Sequence, residues 1–115
     1  MLIGYARVST PDQDLTLQLD ALHQAGCERC FSDKASGAKI SRPGLVEAIS
    51  YARAGDVLVV WKLDRLGRTM KGLVDLAAEL EEKGIGLRSI TDGIDTSGTA
   101  GRLVFNILAA MAQME

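Results

Sequence analysis

Ser9 and Arg7 are the residues whose types and spacing first suggest chemistry. They lie in Leu2-Ile3-Gly4-Tyr5-Ala6-Arg7-Val8-Ser9-Thr10-Pro11-Asp12-Gln13. The stretch starts as a strand, because Ile3, Tyr5 and Val8 favour extended backbone. It ends as a helix start: Thr10 and Gln13 have capping-box spacing, and Pro11 falls at the first helical position. Ser9 is then left in the turn between strand and helix, near the positive end of a helix, where a phosphate is favoured. Arg7, two residues earlier, shares a face with Ser9 in extended backbone. A hydroxyl, a guanidinium and a helix N-terminus together suit attack on a phosphodiester. The plainer alternative makes Ser9 a second capping hydroxyl and Arg7 a surface charge.

Charge points to a second group. The net charge is −2, which does not advertise a nucleic-acid binder. Yet Lys34 to Arg42 holds three basic residues and no acid, and Lys62 to Lys71 holds four basic residues and one acid. These windows carry +6 and leave −8 on the remainder, which fits a local anion site on an acidic body or, alternatively, two solvated loops. Within the second window, Arg65 and Arg68 stand at i and i+3, Asp64 can cap a short turn, and Gly67 lets the backbone bend. Cys27 and Cys30 form one Cys-x-x-Cys, but it follows a helix and enters a strand, whereas a redox dithiol sits at a helix N-terminus. A zinc site would need two more ligands, and the one histidine, His23, is expected on a helix surface. Buried, inert thiols are therefore expected.

The elements that must position these residues follow from periodicity. A chain of 115 residues is one domain by length and needs no metal or disulfide staple. A first helix is expected over 11–25, with Leu15, Leu19 and Leu22 as its inner stripe and Gly26 as its stop. Gln18 falls off that stripe and could face solvent or the strand ends. A short strand over 28–32 precedes a polar loop to Arg42, long enough to be functional or mobile. A second helix over 43–54 turns Leu45, Val46 and Ile49 inward. Val57-Leu58-Val59-Val60-Trp61 is a continuous apolar run, the pattern of a central parallel strand covered on both faces. A third helix over 70–83 buries Leu73, Leu76, Ala77 and Leu80. A strand over 85–90 follows, then a turn-rich link with a short edge strand near Ile94.

The alternation predicts an α/β fold: a mostly parallel central sheet of four to five strands flanked by helices. Ligands of such sheets bind at the C-terminal strand ends, where strand order reverses. Ser9 and the Asp64, Arg65 and Arg68 group both follow strand ends, so they converge if the first and third strands are neighbours. Residues 99–115 read as one helix of nearly five turns, roughly 25 Å long. Leu103, Val104, Ile107, Leu108, Met111 and Met114 form one stripe, and Phe105, Ala109 and Ala112 continue it round the side. So small a domain cannot cover that circumference, which predicts a self-association surface, with ordinary core as the alternative. The chain stops at Glu115 without a capping signal, as though within a helix. The division expected is therefore 1–98 as α/β core and 99–115 as the start of a long dimerisation helix. No apolar run could span a membrane and no signal peptide is evident, so a cytoplasmic protein is expected.

Five motifs occur in order: Tyr5-Ala6-Arg7-Val8-Ser9-Thr10, Asp33-Lys34-Ala35-Ser36-Gly37, Arg42-Pro43-Gly44-Leu45, Gly55-Asp56, and Leu63-Asp64-Arg65-Leu66-Gly67-Arg68. Their succession resembles the catalytic domain of the serine site-specific recombinases, the resolvase and DNA-invertase family, over essentially the whole chain. Val60-Trp61-Lys62-Leu63-Asp64 and Arg88-Ser89-Ile90-Thr91-Asp92 are closer in wording to the invertases. The resemblance implies that Ser9 is the nucleophile, forming a 5′-phosphoseryl DNA linkage and freeing a 3′ hydroxyl. It implies that Arg7, Arg65 and Arg68 grip the scissile phosphate, with Arg42 contributing from the loop. Asp64 would hold the arginines and Gln18 would orient the site. Gln13, Ser36 and Lys62 would assist at the phosphate or DNA, and Asp33 matches a loop position nearby. Leu103, Ile107, Leu108, Met111 and Met114 would form the dimer interface.

The resemblance further implies no metal, cofactor or nucleotide energy. It implies double-stranded DNA as partner, a homodimer that joins a second in an active tetramer, and an accessory DNA-bending protein. Family members continue the last helix into a basic arm and a helix-turn-helix domain. Both are absent from these 115 residues, so the piece alone is expected to bind DNA poorly and to recombine nothing. Two other readings use the same residues: a non-catalytic α/β dimerisation and anion-binding module, and a phosphatase-like hydrolase.

Overall fold

The computed structural model describes residues 1–8, 15–34, 43–62, 70–91, 93–96, 103, 106, 107 and 110. In chain order these form β1 (Leu2–Val8), α1 (Thr16–Gln24), β2 (Arg29–Lys34), α2 (Pro43–Tyr51), β3 (Val57–Val60), α3 (Met70–Glu82), β4 (Gly86–Ser89) and β5 (Ile94–Asp95). The sheet order is β2-β1-β3-β4-β5. Four strands are parallel, and β5 is an antiparallel edge strand. This is the expected α/β class, with the first and third strands adjacent.

Two apolar clusters explain the layers. Leu22 of α1 packs with Ala6, Cys27 and Val59, with Leu15 and Leu19 alongside. On the other face Leu45 and Ala48 of α2 and Leu80 of α3 pack with Ile3, Tyr5, Leu58, Val60 and Leu87. The Val57–Val60 run feeds both clusters, as a strand covered on both faces must. Val46 departs from the sequence expectation: it is 63% exposed. The inner stripe of α2 is Leu45, Ala48, Ile49 and Ala52, an i, i+3, i+4, i+7 set that leaves position 46 outside.

Glycine closes two helices. Past the end of α1, Gly26 has φ 96°, the Gly26 N–H donates to His23 O and the Cys27 N–H to Leu22 O. That is the Schellman pattern, with its apolar contact between Leu22 and Cys27. The same pair of bonds ends α3, from Gly84 to Glu81 and from Ile85 to Leu80. α2 ends earlier than its sequence pattern suggested, at Tyr51. Arg53 then gives its N–H to Asp56 Oδ2. Asp56 also pairs with the Met1 amine at 3.2 Å. Those partners, the backbone bond first, hold its carboxyl below the usual range and tie the start of β1 to the start of β3.

Of the last segment, Leu103, Asn106, Ile107 and Ala110 are helical. Leu103 and Ile107, one turn apart, are 62% and 54% exposed.

α2 lies unusually close to β2. A Cβ on Gly44 would stand 2.3 Å from the backbone oxygen of Ser32 and 2.9 Å from Asp33 Oδ1. Backbone cannot step aside as a flexible side chain can, so Gly44→Ala must push the helix off the strand. An equilibrium urea titration is expected to show a loss of about 2–3 kcal/mol, with far-ultraviolet circular dichroism unchanged.

Candidate active site

β1 outruns its neighbour. Its pairing with β3 ends at Tyr5 and Val60, whereas its pairing with β2 continues to Val8 and Lys34. Backbone direction decides what that leaves open. Leu2 O accepts from Glu28, on the β2 side, and Met1 O accepts from Val57, on the β3 side. Alternation then turns the N–H and C=O of Ile3, Tyr5 and Arg7 toward β3. At Arg7 there is no β3 left to meet them. Gln18 of α1 takes its place: its Oε1 accepts the Arg7 N–H at 3.1 Å, and its Nε2 donates to Arg7 O at 2.9 Å. A carboxamide is the side chain that carries a donor and an acceptor side by side, as a peptide does. Gln18 is 3% exposed. Of the two directions open to it in the sequence, it takes the one toward the strand end.

Arg7 itself is 6% exposed, which removes the reading of it as a surface charge. Arg7 is in register with Asp33 of β2, and it shares with Tyr5, two residues back, the face that carries α2. A guanidinium keeps its charge when buried, so it marks a place built to hold an anion or a carboxylate.

Asp33 is the residue whose importance the sequence understated. It is buried at the end of β2. Its Oδ1 accepts the Gly44 N–H at 2.8 Å, and its Oδ2 accepts the Leu45 N–H at 3.1 Å and the Tyr5 hydroxyl at 2.7 Å. It therefore caps α2 from another element and adds a negative charge at the positive end of that helix. One signal was present: Arg42, just before Pro43, has no acceptor with which to cap, so the acceptor had to come from elsewhere.

β3 leaves the sheet beside β1. On its far side Val60 O accepts from Ile90, and Trp61 O accepts both the N–H of Thr91 and its hydroxyl, at 3.0 and 2.7 Å. Lys62 is exposed, its Nζ 5.5 Å from the centre of the Trp61 ring, a cation–π distance. Strand order reverses between β1 and β3, because the chain goes from β1 to β2 on one side and then to β3 on the other. The crevice at a parallel sheet's reversal point is where ligands bind. Ser9 follows β1 directly in sequence, and Asp64, Arg65 and Arg68 follow Lys62.

Of the expected site residues, the structure describes Arg7, Gln18, Lys62, Leu103 and Ile107. Ser9, Gln13, Ser36, Arg42, Asp64, Arg65, Arg68, Leu108, Met111 and Met114 lie outside the described residues, as does the Thr10 capping box. A cavity of about 320 Å³ lies at the opposite end of the sheet, lined by Asp56, Ile85, Thr96 and Asn106 among others, and takes in none of them. Cys27 and Cys30 are free thiols. Both reach toward Gly4, where a Cβ would lie 3.3 and 2.9 Å from their sulfurs. Burial, then the neighbouring Cys30, pushes the Cys27 thiol up to about 11, so at neutral pH it is a protonated packing group.

The resolvase N-terminal domain profile matches residues 2–115. The chain belongs to the resolvase N-terminal domain family. It is 57% identical over 115 residues to the serine recombinase gin of Escherichia phage Mu, covering all of this chain and 60% of that protein. It is 56% identical over 115 residues to the DNA-invertase of Escherichia phage P1, covering all of this chain and 62% of that one. The N-terminal catalytic domain of TP901-1 integrase superposes with a TM-score of 0.83 at 29% identity, covering 98% of this chain and 94% of that domain. The chain thus spans about three-fifths of the length of the curated relatives it matches.

The Gln18 pairing has a measurable consequence. Gln18→Ala would strip both backbone partners from Arg7 in a buried place. A loss of about 2–4 kcal/mol is expected from two such orphaned groups. Gln18→Glu keeps the acceptor but loses the donor and is expected to recover no more than half. Denaturant unfolding of the three proteins checks both values.

Proposed function

We propose that this chain is the catalytic domain of a serine recombinase that cuts and rejoins DNA, with inversion of a segment as the outcome. The observation that carries the reading is Arg7: a buried arginine whose own peptide is pinned by Gln18, two residues before a serine, at the reversal point of a parallel sheet. The likeness to the phage Mu and phage P1 proteins over all 115 residues supports it.

In this reading Ser9 Oγ attacks the scissile phosphorus. The bond from phosphorus to the 3′ oxygen breaks, a 5′-phosphoseryl ester forms, and the serine proton ends on the freed 3′ hydroxyl. One phosphodiester replaces another, so resealing needs no added energy. Charge builds on the equatorial oxygens as the bond exchanges. Arg7, Arg65, Arg68 and Arg42 would offset it, since guanidinium forks match that geometry and keep their protons. Asp64 would hold the arginines, and Gln13, Ser36 and Lys62 would contact the phosphate or its flanks. Gln18 acts through the Arg7 backbone.

Leu103 and Ile107, exposed on one side of the last helix, would meet a second copy together with Leu108, Met111 and Met114. Two dimers would form the working tetramer. Binding to double-stranded DNA would rest mainly on sequence beyond residue 115, with an accessory DNA-bending protein assisting, in the cytoplasm.

The test joins this chain to the remaining C-terminal portion of the phage Mu relative and uses that relative's recombination site, nicked to trap the covalent intermediate. A protein–DNA adduct is expected. Ser9→Ala is expected to abolish it, and Arg65→Ala or Arg68→Ala to slow it by about 10²–10³. Adduct at full yield from the Ser9→Ala protein would overturn the assignment of the nucleophile. Release of inorganic phosphate from small esters, without adduct, would favour the hydrolase reading instead.

A further inference from the structure

We propose that Thr91 is a positioning residue for the reaction, acting through the Trp61 carbonyl on the chain that leaves β3; the inference rests on the function proposed above. Inside a strand, successive carbonyls point to opposite sides. At the end of β3 they do not: Val60 O accepts the Ile90 N–H at 2.9 Å, and Trp61 O, the next in line, accepts the Thr91 N–H at 3.0 Å. Both carbonyls face the β4 side, and the chain bends at Trp61. The pairing of β3 with β1 has already ended at Val60 and Tyr5, so that ladder no longer supports this point. What the Thr91 side chain adds is a hydroxyl, which donates to the same Trp61 O at 2.7 Å. Two donors from one residue on one oxygen fix the direction of the carbonyl, where a single bond tolerates a broad range. Threonine is stiff at χ1, so its own side chain holds the hydroxyl in place.

Thr91 is itself anchored. It lies in the turn between β4 and β5, where Gly93, at φ 68°, gives its N–H to Ser89 O at 3.1 Å. Beyond the turn Ile94 and Asp95 pair with Ser89 and Arg88, and Arg88 Nε meets Asp95 Oδ2 at 3.1 Å. The short edge strand β5 keeps the turn, and with it Thr91, against the end of β3. Asp64, Arg65 and Arg68 stand three, four and seven residues past Trp61 in sequence. The bend at Trp61 therefore sets where the segment bearing those arginines begins. Gln18 fixes the peptide that precedes Ser9; Thr91 does the same for the peptide that precedes the arginines, on the other strand of the reversal point. An error of about 1 Å between reacting groups can cost 10²-fold in rate, even when its source is remote.

Thr91→Val removes the hydroxyl and keeps the N–H and the bulk, whereas Thr91→Ser keeps both donors. Thr96→Val is the control: it removes a hydroxyl that accepts the Leu87 N–H at 2.8 Å in the same hairpin, away from Trp61. Trp61 is the one tryptophan of the chain, so its fluorescence in the chain itself reports the bend. Single-turnover adduct formation by the hybrid protein at saturating nicked DNA reports the reaction. In Thr91→Val, acrylamide quenching of Trp61 is expected to rise about twofold as the bend loosens. Adduct formation is expected to fall about tenfold with DNA affinity unchanged. Thr91→Ser is expected to stay within about twofold of the unsubstituted adduct rate. Thr96→Val, even with a larger loss of melting temperature, is expected to change neither readout. Unchanged quenching or an unsubstituted adduct rate in Thr91→Val overturns the inference alone, as does an equal slowing in Thr91→Ser or Thr96→Val. No adduct from the unsubstituted hybrid would overturn the functional reading and, with it, the part given to Thr91 in the reaction.

Discussion

The pairing of the Gln18 carboxamide with the Arg7 peptide is the constraint on which the described part of the site depends. At the sheet's reversal point β1 runs past β3. The projecting backbone then has polar groups and no ladder to join, at a depth where leaving them bare is costly. Here α1 supplies a substitute for one rung of the missing strand. β1 can thus stay extended through Val8, past the end of its pairing with β3, with the Arg7 peptide held by α1. Water could satisfy the same groups, but it would not define the direction in which the chain leaves the sheet.

Asp33 solves a related problem on the neighbouring strand. The first turn of α2 brings unpaired N–H groups against β2, closer than any residue with a Cβ would allow. One carboxylate satisfies two of them and reaches the Tyr5 hydroxyl on β1 as well. A buried carboxylate with three donors is well compensated. It also converts a packing contact into an alignment between two elements. Together Gln18 and Asp33 brace β1 from opposite faces of the sheet, one through α1 and the other through α2. That arrangement suits a catalyst that has to hold a fixed positive charge against a phosphate without spending energy on reorganisation during the reaction.

Much of this fold was legible in the sequence because it is written in local periodicity. The leucine stripe of α1, the unbroken run of β3 and the glycines that end α1 and α3 each act within a few residues of themselves. The class of fold followed from their alternation, whereas the adjacency of β1 and β3, left open by the sequence, is given by the structure. What stayed hidden is long-range. The separation from Gln18 to Arg7 is 11 residues and from Asp33 to Tyr5 is 28. Nothing in the spacing says that a glutamine off an apolar stripe will mimic a strand, or that an aspartate in a loop-like motif will cap a later helix. Val46 was misjudged for a simpler reason: position 46 is apolar but one residue off the stripe that Leu45, Ala48, Ile49 and Ala52 complete. For the site, the family motifs suggested a chemistry, whereas the structure shows how the end of β1 is braced.

If the chain acts as proposed, the serine that follows Val8 becomes covalently joined to DNA. Peptide mapping of the trapped adduct addresses it directly. The adduct made by the hybrid protein would be digested with nuclease and trypsin, and the modified peptide fragmented in a mass spectrometer. A nucleotide remnant is expected on the peptide spanning residues 8–29, with fragmentation placing the added mass on Ser9 rather than on Thr10 or Thr16. A remnant on Ser36, Ser41 or Tyr5, or an adduct whose mass lies outside the peptide that follows Arg7, would contradict it.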